Sequence, residues 1–309
     1  MELNEFKVSV IIPVYNAETY LEHAVKSAIG LPEVEEVILI EDNSPDNCLE
    51  ICQKLEKIHG KVILLHHPNR ENRGAGASRN LGIQHAKYEY IAFLDADDYF
   101  MPDRFEFTKK RFSEDPSIEA LYEPVGTFFE SEEAQLAFCK WRRLSIEASE
   151  KYITYPKIEY SGIPFFHAIL EGKNGTPHIN GITIKKEVLI GEYIFDKNLK
   201  LHQDSAFWIK IASRGRFYPG GHRNPVAIRR VHEENRIQNR NFHSVLLKDQ
   251  YIYNWAKQAD LDQKARNLII RNYISSKTQK KLNSNSSIVK IIWRVIYYVN
   301  VTAKQIFQK

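Results

Sequence analysis

The stretch YIAFLDADD, residues 90–98, runs through five apolar or aromatic residues and then ends in Asp95, Asp97 and Asp98. Carboxylates packed in a core repel one another and forfeit their hydration. These three therefore belong at an edge of the structure, where a ligand can meet them. Two acids flanking one small residue, Asp95-Ala96-Asp97, can reach a divalent cation and a ribose together. A hard ion such as Mg²⁺ or Mn²⁺ takes oxygen ligands and bridges the phosphates of a nucleotide, and neutralising a diphosphate turns it into a leaving group. The same letters also suit a turn with a helix cap, because Asp98 precedes a helix start that contains Pro102.

Other residues could do chemistry, each with a plainer alternative. Asp204 stands in the first turn of a helix read over QDSAFWIKIASR (203–214), where the macrodipole favours a carboxylate; a general base and a simple cap both fit. His232 has the neutral imidazole of a metal ligand or is a solvated loop residue. Arg229 and Arg230 could grip a diphosphate or stand in water. Gly74-Ala75-Gly76 has the look of a dinucleotide fingerprint, but it follows the polar loop HPNRENR instead of a first strand, and Arg79 occupies the third glycine position. Cys48 and Cys52, four apart on a helix, lack a second ligand pair, and three cysteines in all do not make a disulfide framework.

The elements that must position these groups are legible in the first hundred residues. Four apolar runs, VSVIIPV (8–14), VILIE (37–41), VILLH (62–66) and YIAFL (90–94), are apolar on both faces, as strands of a covered parallel sheet are. Helices are expected over about 17–29, 46–59 and 76–87, the second capped by Asp46 and stopped by Gly60. Right-handed crossovers make such a series an α/β fold with an open, mostly parallel, doubly wound sheet, and ligands of such sheets lie beyond the carboxyl ends of the strands. That edge carries Pro13-Val14-Tyr15-Asn16, Glu41-Asp42-Asn43-Ser44, His66-His67-Pro68-Asn69 and Asp95-Ala96-Asp97-Asp98. The middle, 115–200, reads as loops and irregular strands around an acceptor pocket. From about 244 the pattern is helical and basic, with NSNSS (283–287) as a linker.

The blocks VSVIIPVYNAETYLEHAVKSAI, IEDNSPDN and NRGAGASRNLGIQHAKYEYIAFLDADD, in this order and spacing, resemble the donor half of a family 2 glycosyltransferase with the GT-A fold. A weaker resemblance covers 180–232, through NGITIKKEVLIGEYIFDKNLKLHQDSAFWIKIASRG and RRVHEEN. Together these blocks span about two-thirds of the chain. The resemblance implies a catalytic domain over 1–240, with a nucleotide-sugar half (1–115) and an acceptor half (116–240), and a basic helical region over 241–309. It implies that Pro13, Val14 and Tyr15 line the base, that Asp42 accepts a hydrogen bond from it, and that Arg79 reaches the base or phosphates. Asp95 and Ala96 would hold the ribose side of the donor, while Asp97 and His232 would ligate Mn²⁺ or Mg²⁺. Asp204 would be the base of an inverting transfer from a nucleotide-diphosphate sugar, a UDP-sugar, to a hydroxyl of a glycan or lipid-linked acceptor in surface polysaccharide synthesis. Two departures stand out: Gln203 precedes Asp204 where the family pairs two acids, and Glu41 replaces the commoner Asp. The QxxRW stretch of processive synthases is not matched by QNRNF (238–242), so single addition is expected. A nucleotidyltransferase and a catalytically silent sugar-nucleotide-binding scaffold are the alternatives.

Charge is unevenly spread. The 309-residue chain is +4 overall, but residues 261–309 hold ten Lys or Arg and a single acid, Asp262. Within them, IVKIIWRVIYYVNVTAKQIFQ (288–308) mixes aromatics with cations, a composition suited to an anionic membrane interface or to a packed helix. With MELNEFK polar and no run of about eighteen apolar residues, the expected place is the cytoplasm, at the inner face of the membrane if 288–309 binds it. Nucleic acid is not an expected partner.

Overall fold

A computed structural model describes residues 5–191, 194–221, 224–233, 235 and 242–282. The described residues fall into two compact units, Met1–Gln238 and Asn239–Lys309.

In the first unit the chain runs through β1 (Val8–Val14), α1 (Leu21–Ile29), β2 (Val34–Glu41), α2 (Cys48–Ile58), β3 (Val62–His66), α3 (Gly74–His85), β4 (Tyr90–Phe93), β5 (Tyr99–Phe100) and α4 (Glu106–Glu114). It continues through β6 (Ala120–Tyr122), β7 (Val125–Phe129), α5 (Glu132–Arg142), α6 (Ile146–Glu150), α7 (Gly162–Glu171), β8 (Ile182–Lys185), α8 (Gln203–Ser213), β9 (Phe217–Pro219) and β10 (Ala227–Val231). Seven strands form the main sheet in the order β3-β2-β1-β4-β8-β6-β9, and β5-β10-β7 form a small second sheet. The first four strands are parallel, while β8 runs antiparallel to both β4 and β6. This is the open, mostly parallel sheet that the apolar runs predict.

The core explains the register. Val8, Val10, Ile11, Ile12 and Val14 of β1 are all fully buried, as are Val37 to Ile40 of β2, so both faces are covered. Each such aliphatic side chain contributes about 1.5–3 kcal/mol on leaving water. Helix α1 covers one face with Leu21, Ala24, Val25 and Ala28, and α2 adds Cys48, Cys52 and Leu55. Helix α3 comes so close to β1 that a Cβ on Gly82 would meet Ile11 Cγ2 at 2.5 Å; only glycine allows that approach. The pairings Val14↔Glu41 and Glu41↔His66 bring three strand ends level, and Ile11↔Phe93 sets β4 beside them.

The middle is more regular than the expected loops. Ser131 and Ser145 accept the Ala134 and Ala148 amides at 3.1 Å and so start α5 and α6. Pro164 lies in the first turn of α7, where its missing N–H removes no helical bond. Gly172, at φ +70°, ends that helix.

In the second unit α9 (Phe242–Ala256) and α10 (Gln263–Leu282) form a helical pair. Tyr253 stacks on Tyr273 with centroids 4.6 Å apart, and Ser276 donates to Asp249. Arg266 donates to the carbonyls of Ala256, the last residue of α9, and of Ala259 just beyond it. No described helix is long and apolar enough to cross a membrane. The linker 283–287 and the segment 288–309 expected at a membrane lie outside the described residues.

Candidate active site

The acidic stretch leaves β4 at the level of the other strand ends. Leu94 donates its amide to Ile11 O at 3.1 Å, and the Asp98 amide closes a turn onto Asp95 O at 3.0 Å. Side chains alternate through it: Ala96 is buried in the core beneath β1, while Asp95 and Asp97 keep 30% of their side chains exposed. The two acids thus face outward from one small buried residue.

Arg79 organises one side of the site. It projects from α3, is 5% exposed, and donates Nη2 to Asp95 Oδ1 at 2.5 Å and Nη1 to Asp204 Oδ1 at 3.2 Å. Residues separated by 125 positions in sequence, Arg79 and Asp204, are thereby joined. Burial pushes the Asp95 carboxyl up, but Arg79 beside it, with Arg229, holds it below the ordinary carboxylate value. The Arg79 guanidinium in turn is raised, because Asp204 and Asp95 outweigh the cost of its burial. Asp204 opens α8 after His202, whose φ of +62° turns the chain into the helix. Gln203 packs on the start of α3: a Cβ on Gly76 would meet its amide nitrogen at 2.6 Å. The residue standing where a second acid is expected therefore has a packing role.

Asp97 and His232 define the other side. His232, one residue past β10, lies with Nε2 3.1 Å from Asp97 Oδ2. Asn235 Nδ2 donates to the same oxygen at 3.2 Å, and its Oδ1 accepts the His232 amide at 3.0 Å. The Tyr20 ring lies against His232 at 5.0 Å between centroids. Tyr20 donates its hydroxyl to Glu130 Oε2 at 2.5 Å, and its phenol is raised by burial and by that carboxylate. A cleft of about 450 Å³ opens here, lined by Asn16 to Tyr20, Asp46, Glu130, Ser131, His232 and Glu233.

The donor-side residues are placed as follows. Val14 is buried and its carbonyl accepts the Asp42 amide at 3.0 Å, whereas Tyr15 is 38% exposed. Pro13 is half-buried at the end of β1. Asn16, at φ +51°, redirects the chain there and donates its amide to Ser44 Oγ. Asp42 is buried, and its two oxygens accept the Arg73 and Gly74 amides at 2.7 Å each, so its carboxylate tethers the turn that opens α3. Arg230, a candidate diphosphate ligand, instead lies over the rings of Tyr20 and Tyr99 and near Glu130 at 3.6 Å. Arg229 is buried nearby at 9% exposure.

Two residues here are given no role by the sequence. His178 is pushed down to about 3 by burial and then by Arg229, so it is neutral at physiological pH; its Nδ1 accepts the Asn180 amide. Asn180 is fully buried and touches both Asp95 and Asp98. Both lie in HING, within the middle that reads as loops and irregular strands, although Asn180 also opens the weaker resemblance.

A divalent ion suits part of this donor set. Two ligands at right angles on an ion with bonds of roughly 2.1 Å stand about 3 Å apart, and Asp97 Oδ2 and His232 Nε2 are 3.1 Å apart. Asp95, Asp98 and His178 also bring possible ligand atoms within 4.8 Å of one another. There Arg79 already occupies Asp95, and Asp98 spends both oxygens on hydrogen bonds, so the Asp97–His232 pair fits better.

Residues 9–169 match the family model described as glycosyl transferase family 2. An uncharacterised glycosyltransferase of Rickettsia conorii is 31% identical over 221 residues, 69% of this chain and 31% of that protein. The minor teichoic acid biosynthesis protein GgaA of Bacillus subtilis is 25% identical over 251 residues, 79% of this chain and 51% of its own length. The chain thus spans about a third to a half of the length of these relatives. Among solved structures, S. aureus TarS 1–349 in complex with UDP-GlcNAc superposes with a TM-score of 0.66 at 17% identity, over 87% of this chain and 72% of that one. That last likeness is one of fold.

Proposed function

This chain belongs to glycosyl transferase family 2 and has the GT-A fold, and from that premise we propose that it is an inverting, metal-dependent transferase. It moves one sugar at a time from a nucleoside-diphosphate donor, a UDP-sugar carrying a hexose or N-acetylhexosamine, to a hydroxyl of a glycan or lipid-linked acceptor. The observation that carries this reading is Arg79 holding Asp95 and Asp204 on one guanidinium, at 2.5 and 3.2 Å, which supports a single site shared by a donor-binding acid and a base.

In the reaction, the turn from Pro13 to Tyr15 with Asp42 takes the base, and Asp95, next to Ala96, takes the ribose. Asp97 and His232 would hold Mn²⁺ or Mg²⁺, which when bound supplies positive charge to the departing diphosphate. Asp204, with 43% of its side chain exposed, removes the proton of the acceptor hydroxyl as that oxygen attacks the anomeric carbon from the face opposite the diphosphate. Arg79 fixes the Asp204 carboxylate on one oxygen and leaves the attack direction set by α8. Residues 1–115 serve the donor and 116–240 the acceptor; 241–309 is an appendage that brings the enzyme to an anionic membrane face in the cytoplasm. The solved complex of TarS with UDP-GlcNAc supports a UDP-sugar, and the teichoic acid role in the name of GgaA supports a surface polymer as product.

The test is a donor screen by thermal shift with Mn²⁺ present, since ligand that binds only the native state raises the melting point, followed by turnover of an Asp204→Asn variant with the donor found. Turnover should fall at least ~100-fold while donor affinity stays within about threefold. Unchanged turnover would remove Asp204 as the base, and a wild type that binds donor without turning over would make the protein a scaffold.

A further inference from the structure

Asp98, the last acid of the cluster, is 2% exposed, and each of its oxygens already receives a donor. Oδ2 accepts Asn180 Nδ2 at 2.6 Å and Oδ1 accepts the Arg230 amide at 2.8 Å. Those donors come from different parts of the fold. Asn180 sits in the turn before β8, and its Oδ1 also accepts the Asp95 amide at 3.1 Å. Arg230 lies on β10, two residues before His232. The antiparallel pairing of β10 with β5 reaches Ile228↔Tyr99, so the Asp98 carboxylate takes up an amide just past that ladder. One continuous set of bonds thus runs from the Asp95 amide through Asn180 and Asp98 to the strand that delivers His232.

Behind it stands a rigid support. The Asn180 carbonyl accepts Arg104 Nε at 3.1 Å. Arg104 is fully buried, donates to Glu123 at 2.8 Å and to Ile182 O at 2.9 Å, and lies over the rings of Phe100 and Phe105. Glu123 also accepts Thr108 Oγ1 at 2.6 Å. A buried network of several hydrogen bonds around one guanidinium resists deformation.

We propose that Asn180 and Asp98 are positioning residues that set the separation between Asp97 and His232. Both are buried, Asn180 fully and Asp98 at 2% exposure. Asp98 fixes the turn that carries Asp97 and, through the Arg230 amide, the strand that carries His232; Asn180 holds both ends of that turn. Partners of this kind orient metal ligands, and their loss commonly costs ~10–100-fold in metal affinity. The inference rests on the metal reading above only for its first readout.

The chemistry of the pair supplies the test. In Asp98→Asn one donor is left facing another however the amides are turned: the new NH₂ meets the Asn180 NH₂ or the Arg230 N–H, or Asn180 turns over and its NH₂ meets the Asp95 N–H. In Asn180→Asp two carboxylates meet. In the double variant Asp98→Asn/Asn180→Asp all three bonds can reform with total charge unchanged: residue 180 accepts the Asp95 amide and the residue 98 NH₂, and residue 98 accepts the Arg230 amide. The full chain in all four forms is titrated with Mn²⁺ alone by electron paramagnetic resonance, and the His232 ring nitrogens are followed by ¹⁵N NMR. Each single variant should weaken Mn²⁺ about tenfold or more and move the His232 signals, and the double variant should return to within about threefold of wild type with wild-type signals. Singles that fail to fold beside a double that folds and binds Mn²⁺ normally also support the pairing. Singles with unchanged affinity and unchanged His232 signals, or a double no better than the worse single, overturn it. A wild type that binds no Mn²⁺ refutes the metal reading instead, and the His232 signals then decide the positioning role.

Discussion

Replacing Arg79 with methionine should remove about 3 kcal/mol of stability near pH 7, and the loss should shrink in acid. Methionine keeps an unbranched stem where Arg79 lies 5.3 Å over Phe195. What disappears is the charge. Its contact with Asp95 at 2.5 Å involves a partner 30% exposed, and a hydrogen bond between charged groups contributes ~1.5–3 kcal/mol. The 3.2 Å contact with Asp204, 43% exposed, adds ~0–1 kcal/mol after solvent screening. In a unit of this size such a loss lowers the melting point by roughly 6–12 °C. The sign of the pH effect follows from Asp95. In the native chain Arg79 helps hold that carboxyl below its ordinary value against the push of burial, so its contribution is complete above the unfolded value and fades as pH falls through the folded one. Without Arg79 burial prevails, the carboxyl rises, and protonation in mild acid relieves it. The gap between wild type and variant should therefore be widest near neutrality and narrow towards about pH 4. Urea unfolding from neutral to mildly acidic pH measures it. A gap of under about 1 kcal/mol at neutral pH, or one that stays constant or widens in acid, refutes the reasoning.

Three further outcomes are expected. Gly82→Ala places a Cβ 2.5 Å from Ile11 Cγ2 and should cost ~1–3 kcal/mol by overpacking, read as a lower urea midpoint at unchanged slope. His178, pushed down to about 3, stays neutral where the unfolded chain's histidine takes a proton, so it costs stability progressively as pH falls below about 6.5. His178→Gln should lose less stability than wild type between about pH 6.5 and 4; parallel curves would contradict the shift. Deleting 285–309, which holds Lys290, Arg294 and Lys304, should release the protein from anionic liposomes while leaving nucleotide binding intact, and unchanged liposome binding would reject a membrane role for that segment.

The first four strands were legible because each is a continuous apolar run, almost wholly buried in β1, β2 and β4 and half-buried in the edge strand β3. The expected 8–14 and 62–66 coincide with β1 and β3, and β2 begins three residues early, at Val34. Helices α5 to α7 were not legible for separate reasons. The starts of α5 and α6 depend on the single hydroxyls of Ser131 and Ser145, and α7, GIPFFHAILE, is too evenly apolar to show a helical rhythm and carries a proline. In the site, outward-facing acids at a strand end announce themselves, and so does Asp204 at a helix start. The role of Asn180 could not be seen, because it depends on β8 inserting antiparallel beside β4, between residues some ninety positions apart. Nor could the second use of Arg79: a basic residue in a glycine-rich stretch suggests a phosphate, and only the fold shows that it also ties Asp95 to Asp204. Gln203 is the converse case, a departure from the family pattern whose side chain fills the space beside Gly76.

The central claim is that Asp97 and His232 hold a divalent ion for the diphosphate of an activated sugar. Isothermal calorimetry of UDP-sugars with Mn²⁺ tests it most directly, run on wild type and on Asp97→Ala. Binding heat that requires Mn²⁺ in the wild type and vanishes in the variant is the predicted result; no heat with any activated sugar, or heat that survives the loss of Asp97, contradicts it.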